Sequence, residues 1–303
     1  MIALVLRSTG SWYQVCADDG TMLECRIRGK LRLDGVKETN PVAVGDRVEI
    51  DEITRTIMRI LPRRNHIVRS STRKKGHGHV LAANIDQALM VATLSRPRTS
   101  LGFIDRFLLT CEAFEIPQIV VFNKSDLLDD DDREMCAAIL DIYGSLGIRT
   151  FLISAKQDAG LEALIAELRG KTTLFAGHSG TGKSTLLNRL VPAARQSVGD
   201  ISDYSEKGVH TTTFAEMFRM HPSTWLIDTP GVKEWGLLDI APEEISGFFP
   251  EMRALRSDCR FGARCLHLDE PHCAVRLSVE EGRISASRYQ NYVSMVIGED
   301  NRK

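Results

Sequence analysis

Apolar and polar residues alternate in short runs over the first 62 positions of the chain, and glycine-containing turns separate the runs. Two of these turns contain Asp18-Asp19-Gly20 and Val44-Gly45. Short strands with a period of two, joined by such turns, are typical of small β-barrels. The pattern therefore predicts a β-barrel at the amino-terminal end of the chain.

The pattern changes from residue 83 onward, where continuous apolar runs replace the alternating ones. Four of these runs are QALMVATL, PQIVVFN, RTFLIS and TTLFA, and the segments between them carry apolar residues at helical spacing. Strands without polar alternation are buried on both faces, as in a parallel sheet covered by helices. We therefore predict an α/β domain built on a parallel sheet.

Residues 63–80, RRNHIVRSSTRKKGHGHV, separate the two patterns and are basic with few apolar positions. This composition indicates a linker at a domain boundary. We expect His66, His77 and His79 to be solvated rather than to bind a metal, because isolated histidines in a basic segment seldom form a ligand set.

Charge is distributed unevenly along the 303 residues. The 39 basic and 40 acidic residues give a formal charge of −1, which excludes a polycation that binds nucleic acid over its whole surface. Residues 1–80 nevertheless contain 15 Lys and Arg against 9 Asp and Glu, so positive charge is concentrated there. Every second position from residue 26 to 32 is basic, and in a strand this spacing places all four side chains on one face. That face either binds the phosphate backbone of RNA or is a solvated face that binds nothing. These residues are Arg26, Arg28, Lys30 and Arg32.

Composition and apolar runs also indicate the size class and the cellular location of the protein. At 43% apolar residues the chain has enough hydrophobic material for two or more domains. No apolar run approaches the roughly 18 residues of a membrane span, and the first residues lack the basic and apolar parts of a signal peptide. We expect a soluble, cytoplasmic protein that does not bind membranes.

A phosphate-binding loop is the clearest chemical motif. Gly177, Gly182, Lys183 and Ser184 fit the spacing of such a loop, between an apolar strand and a helix. Backbone N–H groups and the helix dipole then bind a polyphosphate, while the lysine reaches the β and γ phosphates and the serine ligates Mg²⁺. The predicted nucleotide-binding residues here are Gly177, His178, Ser179, Gly180, Thr181, Gly182, Lys183, Ser184 and Thr185.

Two short motifs at the ends of preceding strands indicate guanine as the base. In Asn123-Lys124-Ser125-Asp126 the carboxylate of Asp126 can accept hydrogen bonds from guanine N1–H and the exocyclic amine, and adenine offers no matching pair of donors. Lys124 can lie along the base, and Asn123 can join this loop to the phosphate loop. In Ser154-Ala155-Lys156, one strand later, the Ala155 N–H can reach guanine O6.

Residues after the phosphate loop are expected to complete the catalytic site. A threonine from the run that follows His210 supplies a hydroxyl to Mg²⁺, and spacing alone does not choose between Thr211 and Thr212. Asp228 suits the outer coordination sphere of Mg²⁺, and the N–H of Gly231 suits the γ phosphate. The predicted catalytic residues are Lys183, His210, Thr212 and Asp228, and the predicted Mg²⁺ ligands are Ser184 and Thr212.

Val232 stands where Ras-like enzymes carry a glutamine that orients the attacking water. We therefore predict slow intrinsic hydrolysis. The missing group then comes from His210, from another mobile residue, or from a partner.

Three cysteines and a histidine cluster near the carboxyl end of the chain: Cys259, Cys265, His267 and Cys273. Three thiolates and one imidazole match a closed tetrahedral zinc site, which would hold together a tail too small to bury a core alone. His272 is an available substitute for His267. Basic residues near the cluster predict a second RNA-facing surface, and these are Arg253, Arg256, Arg260, Arg264, Arg283 and Arg288.

The order of the motifs is unusual, because the two guanine motifs precede the phosphate loop, whereas most GTPases of this sheet class have them last. Circular permutation of the sheet is the simplest explanation. The permuted order of GHSGTGKSTLLN, HTTT, DTPG and NKSD, between a β-rich start and a cysteine-rich tail, resembles the RsgA (YjeQ) family of ribosome small-subunit-dependent GTPases. One departure from that family is that five residues, rather than four, separate Cys259 from Cys265.

The resemblance covers essentially the whole chain. It implies an OB-fold RNA-binding domain at 1–65, a circularly permuted P-loop GTPase domain at 66–236 and a small α-helical zinc-binding domain at 237–303. It further implies a monomer with one Zn²⁺ per chain, and with Mg²⁺ bound together with GTP. The implied activity is hydrolysis of GTP to GDP and phosphate, stimulated by the small (30S) ribosomal subunit and its rRNA, in late maturation of that subunit.

Two other functions are compatible with parts of the sequence. A phosphate loop alone also serves metabolic kinases and other phosphotransferases, although these have no need of the guanine motif. The chain could instead be an RNA-binding zinc and OB-fold protein with a vestigial nucleotide site, which the intact Lys183 and Asp228 argue against. We also hypothesise that nucleotide state reorients the tail, because the loop at Gly231 continues directly into it.

Overall fold

A computed structural model of the chain describes residues 1–27, 41–70, 78–192, 215–229 and 240–299. Its first five strands form a closed barrel, which confirms the β-rich domain predicted from alternation. The strands are β1 (Ile2–Ser8), β2 (Tyr13–Ala17), β3 (Met22–Ile27), β4 (Arg47–Asp51) and β5 (Thr56–Ile60). They pair in the order β1-β2-β3-β5-β4, and β4 closes the barrel on β1.

The alternating residues of these strands fill the barrel with a small apolar core that includes Val5, Tyr13 and Ile57. Arg26 lies on the exposed side of β3, with its guanidinium 3.7 Å from the ring centroid of Trp12. The remaining residues of the predicted basic face, at positions 28, 30 and 32, lie outside the described residues.

The prediction of a linker over residues 63–80 was wrong for residues 66–70 and 78–80, which lie in strands, whereas residues 71–77 lie outside the described part of the chain. Strands β6 (His66–Ser70) and β7 (Gly78–Ala83) form an antiparallel pair, whose register pairs Ile67 with Ala82. Both of these side chains are fully buried, so a few apolar positions are enough to attach the pair to the main core. His66 is half-buried beside Phe114, and this burial lowers the pKa of its imidazole.

The central domain is a six-stranded sheet with the order β10-β9-β8-β11-β13-β12, in which only β12 is antiparallel to its neighbour. Its strands are β8 (Gln87–Ala92), β9 (Gln118–Phe122), β10 (Arg149–Leu152), β11 (Thr172–Ala176), β12 (Glu216–His221) and β13 (Thr224–Asp228). The helices that follow these strands are α1 (Leu101–Ala113), α2 (Asp130–Ser145), α3 (Leu161–Leu168) and α4 (Lys183–Leu190). The predicted parallel α/β sheet is confirmed.

The barrel and this sheet are continuous. Strand β1 pairs with the edge strand β12 at one position, Arg7 opposite Glu216, so that eleven strands form a single sheet in the described part of the chain. An edge strand presents unpaired backbone groups, and here the barrel covers part of that edge.

The tail is a small helical unit, as expected. Its helices are α5 (Pro242–Ile245), α6 (Pro250–Arg253), α7 (Ala274–Glu280) and α8 (Ala286–Val296). Phe249, Met252 and Tyr292 form its core together with Leu109 of helix α1. Ten of the thirteen residues of α1 are buried, because the sheet covers one side of this helix and the tail covers the other. None of the described helices is long and apolar enough to cross a bilayer.

A buried charge network joins α1 to the tail. The guanidinium of Arg288 contacts Asp105 at 2.6 Å and Glu251 at 2.8 Å, and both Arg288 and Asp105 are almost fully buried. Tyr143 and Asn291 also donate hydrogen bonds to Asp105. Burial raises the pKa of Asp105, and the Arg288 cation opposes that rise. Assigning Arg288 to an RNA-facing surface was therefore wrong, because its charge is already neutralised in the interior.

We predict that Arg288→Met lowers the free energy of unfolding by about 3 kcal/mol, because Asp105 and Glu251 are left buried without their cation. Urea denaturation followed by circular dichroism measures this change. Arg283→Met is the matched control: its exposed pair with Glu281 is worth less than about 0.5 kcal/mol. Equal effects of the two substitutions would contradict the prediction.

Candidate functional site

The phosphate-loop sequence forms the turn between strand β11 and helix α4. Gly177 and Gly182 are required there. A Cβ at Gly182 would lie 2.4 Å from the side-chain nitrogen of Asn123, and the residue has a φ of +85°. A Cβ at Gly177 would lie 2.8 Å from the carbonyl oxygen of Val91. The loop can therefore pack closely on its neighbours only with glycine at these two positions.

Asn123 joins three loops. Its Nδ2 donates to the carbonyl of Thr181 in the phosphate loop at 2.9 Å, and its Oδ1 accepts from the N–H of Ala155 at 2.9 Å. The side chain is 4% exposed, so water competes little for these bonds. The link to the phosphate loop agrees with the sequence prediction, whereas the bond to Ala155 was not foreseen. A guanine O6 would have to compete with Asn123 for that N–H.

Asp126 is oriented by the second guanine motif. The hydroxyl of Ser154 donates to its Oδ1 at 2.5 Å and accepts from the N–H of Gln157 at 3.2 Å. The two motifs line one cavity of about 260 Å³ together with residues of the phosphate-loop helix. Its lining residues are Asn123, Lys124, Asp126, Leu127, Ala155, Lys156, Gly182 and Thr185.

Leu127 was missed by the sequence prediction. It lines the cavity and is 43% exposed, a large fraction for an apolar side chain that follows a polar motif. An exposed leucine in the wall of this cavity can provide an apolar contact for a planar ring. Its position directly after Asp126 was the only available signal.

The loop at residues 93–100, which follows strand β8, contacts two predicted site residues and was also missed. Lys124, which has a left-handed backbone with a φ of +67°, donates from Nζ to the carbonyl of Arg96 at 2.6 Å. Thr99 Oγ1 lies 2.7 Å from Nε2 of His178 in the phosphate loop. The only indication that this loop belongs to the site was its place at the carboxyl end of a parallel strand, because ligand-binding loops lie at that edge of such sheets.

Arg189 of helix α4 fixes the second guanine motif. Its guanidinium donates to the carbonyls of Ala155 at 3.1 Å and Lys156 at 3.2 Å. Helix α4, which follows the phosphate loop, is therefore joined directly to the loop of the second guanine motif. This contact was not predicted, because the partners are more than 30 residues apart in the sequence.

At the opposite end of the loop, Lys183 forms an ion pair with Asp228. Ser184 and Thr185 are exposed at the start of helix α4. Glu216 of strand β12 lies opposite Asp228 of strand β13. Burial raises the pKa of Glu216, the positive charge of Arg7 lowers this pKa, and the negative charge of Asp228 raises it. The other predicted residues of this region, His210, Thr211, Thr212, Gly231 and Val232, lie outside the described residues.

The predicted metal ligands come together in the tail. The ligand atoms of Cys259, Cys265, His267 and Cys273 lie within 4.8 Å of one another, and all four residues are buried. Nδ1 of His267 is 3.3 Å from the sulfur of Cys273. The alternative ligand His272 is exposed and is not part of the cluster.

The chemistry of this cluster fits a zinc ion. Burial raises the pKa of Cys265 to about 12, so a thiolate in this place needs a cation beside it. A bound Zn²⁺ would supply that cation, and three thiolates with one imidazole complete its tetrahedral shell. The loop is held in shape by Glu270, which accepts hydrogen bonds from two backbone N–H groups, and by the hydroxyl of Tyr289, which donates to the carbonyl of His267.

Comparisons with known proteins agree with this geometry. The model of the RsgA GTPase family matches residues 60–238, and the model of the RsgA N-terminal domain matches residues 4–57. The small ribosomal subunit biogenesis GTPase RsgA 2 of Bacteroides thetaiotaomicron is 46% identical over 306 residues, which cover 100% of this chain and 98% of that protein. The RsgA protein of Cytophaga hutchinsonii is also 46% identical, with 100% of both chains covered.

Two solved structures are similar over almost their whole length. The crystal structure of YjeQ from Thermotoga maritima has a TM-score of 0.77 and 35% identity, covering 98% of this chain and 97% of that one. YloQ, described as a circularly permuted GTPase, has a TM-score of 0.74 and 29% identity, covering 100% and 96%. The expectation of a circularly permuted GTPase fold with a barrel and a tail is confirmed.

We predict that Asn123→Ala weakens GDP binding by at least about tenfold, because it leaves the Thr181 carbonyl buried without a partner and removes the link between the phosphate loop and the second guanine motif. Titration with a fluorescent GDP measures this affinity. Ser125→Ala, in the same loop, serves as the control and is expected to stay within about twofold of the unsubstituted chain. Unchanged affinity in Asn123→Ala would show that the three loops hold their positions without this amide.

For the metal cluster, we predict that His267→Ala purifies with far less than one zinc per chain, whereas His272→Ala keeps one. The two histidines are close in sequence, and only His267 contributes to the cluster. Elemental analysis of the purified full chain gives the answer. Zinc retained in the His267 variant, or lost in the His272 variant, would refute the ligand assignment.

Proposed function

The chain belongs to the RsgA family of GTPases, and on this premise we propose that it hydrolyses GTP to GDP and phosphate in late maturation of the small (30S) ribosomal subunit. The observation that carries the proposal is the convergence of both guanine motifs and the phosphate loop on one cavity, joined by Asn123. The relatives named above as small ribosomal subunit biogenesis GTPases supply the biological context.

Guanine recognition is assigned to the cavity. Asp126 accepts from N1–H and the exocyclic amine of the base, and the Ser154 hydroxyl holds the carboxylate in place for this. Lys124 and Leu127 provide contacts with the ring, and both line the cavity. The O6 atom receives a hydrogen bond from the backbone around Ala155, whose N–H it shares with Asn123.

Phosphate binding is assigned to residues 177–185. Lys183 exchanges its ion pair with Asp228 for the β and γ phosphates, and backbone N–H groups at the start of helix α4 bind phosphate oxygens. Ser184 and either Thr211 or Thr212 would hold Mg²⁺, with Asp228 in its outer coordination sphere. When bound, the ion neutralises the charge that develops on the β and γ oxygens. The N–H of Gly231 binds the γ phosphate.

Hydrolysis is proposed to be slow until the subunit is bound. The side chain of Val232 cannot orient a water molecule by hydrogen bonding, so His210, another residue of the chain or the partner performs this task. The subunit would then act as the stimulating partner, in the way that other GTPases receive a residue or an ordered loop from an activator.

RNA contacts are assigned to both flanking units. The barrel presents the Arg26 and Trp12 stack, and the tail presents Arg260 and Arg264, which are exposed beside the metal cluster. We propose the division 1–65, 66–236 and 237–303 for the barrel, GTPase and zinc-binding domains. The protein would work as a cytoplasmic monomer with one zinc per chain.

We predict that purified small ribosomal subunits raise GTP turnover by at least tenfold, because an activator typically supplies about 10³–10⁵ in rate to GTPases of this class. Release of phosphate with and without subunits measures the effect. Large subunits are the matched control, and Lys183→Ala should abolish turnover in both conditions. A fast reaction without subunits, or no response to them, would contradict the proposal.

A further inference from the structure

One ion pair lies at the junction between the barrel and the GTPase sheet. Arg7 of β1 and Glu216 of β12 are the registered pair that joins the two, and Nη1 of Arg7 lies 3.8 Å from Oε1 of Glu216. The side chain of Glu216 is 20% exposed, so solvent screens this pair only in part.

The same glutamate lies next to Asp228, a predicted residue of the nucleotide site. Glu216 is directly opposite Asp228 in the antiparallel pair of β12 and β13. Directly opposite residues share one face of a sheet, with Cβ atoms about 4.5–5.5 Å apart. Asp228 is in turn paired with Lys183 of the phosphate loop. Four charges therefore form a row in which two carboxylates lie between two cations, one from the barrel and one from the phosphate loop.

This row has an electrostatic consequence. Two neighbouring carboxylates repel each other, and each is stable as an anion when it has its own cation. While Arg7 neutralises Glu216, the interaction of Lys183 is limited to Asp228 and the phosphates. Without Arg7, the uncompensated charge of Glu216 would attract Lys183 and repel the γ phosphate.

We propose that Arg7 of the barrel is a positioning residue of the GTPase site, which sets the preference for GTP over GDP by neutralising Glu216 next to Asp228. The proposal rests on the proposed function, because it concerns the same nucleotide site. It makes the barrel an electrostatic part of that site as well as an RNA-binding unit.

Opposite signs of two substitutions test this role. Arg7→Met should weaken binding of a non-hydrolysable GTP analogue relative to GDP by about three- to tenfold, as expected for one unit charge at this range and partial screening. Glu216→Gln should shift the same ratio in the opposite direction, and the double variant should return close to the unsubstituted value. Arg7→Lys keeps the charge and should restore most of the preference.

A purely structural pair would behave differently, because both single substitutions would loosen the junction and shift the ratio in the same direction. The matched control is Arg59→Met with Glu49→Gln, an exposed ion pair between β5 and β4 that lies on the barrel away from Asp228. It should leave the ratio unchanged. The shifts caused by Arg7 and Glu216 should shrink at high salt, whereas a packing effect would not.

Fluorescent GDP and a fluorescent GTP analogue, titrated at 50 mM and 500 mM salt into the full chain, give all of these ratios. Shifts of the same sign, or no shift in either single variant, would overturn the role of Arg7 while leaving the proposed function intact. Failure of the unsubstituted chain to bind either guanine nucleotide would overturn the proposed function itself and this inference with it.

Discussion

The nucleotide site depends on one buried amide. Asn123 is a donor to the phosphate loop and an acceptor for the second guanine motif, at sequence separations of 58 and 32 residues. A carboxamide suits this position because it carries both functions on one planar group. These hydrogen bonds require only that the ends of the strands lie close together in space. They do not depend on the order of those strands along the sequence. Circular permutation can therefore leave the site intact, provided that the sheet order is kept.

Helix α1 connects that site to the tail. It begins immediately after the loop at 93–100, which contacts Lys124 and His178, and its later turns supply Asp105 and Leu109 to the tail interface. The charge on Asp105 is compensated by Arg288 in the interior, so the tail is attached by a specific buried contact as well as by apolar packing. The other suggested connection, through the segment after Gly231, lies outside the described residues.

The sequence predicted best those features that depend on local pattern. Strands such as β8 and β9 are buried on both faces, so their continuous apolar runs identified them directly. The pair β6 and β7 was missed because only Ile67 and a few neighbours mark it within a basic segment. Arg288 was misassigned for a related reason, since a charge in the sequence does not show its partner, here Asp105 at a separation of 183 residues. The contacts of Arg189 with the second guanine motif could not be predicted either, because the partners are distant in the sequence.

The two flanking units attach to different parts of one site. The barrel joins the sheet at β12, beside Asp228, where we propose that the γ phosphate binds, whereas the tail packs on α1, which follows the loop at 93–100 that contacts Lys124. Neither attachment blocks the other, because β12 is at the edge of the sheet and α1 covers its centre. If the γ phosphate binds as we propose, its loss acts first on the barrel side, because Lys183 is paired with Asp228 and Asp228 lies opposite Glu216. The tail is connected to the loops that we propose bind the base, a part of the nucleotide that GTP and GDP have in common.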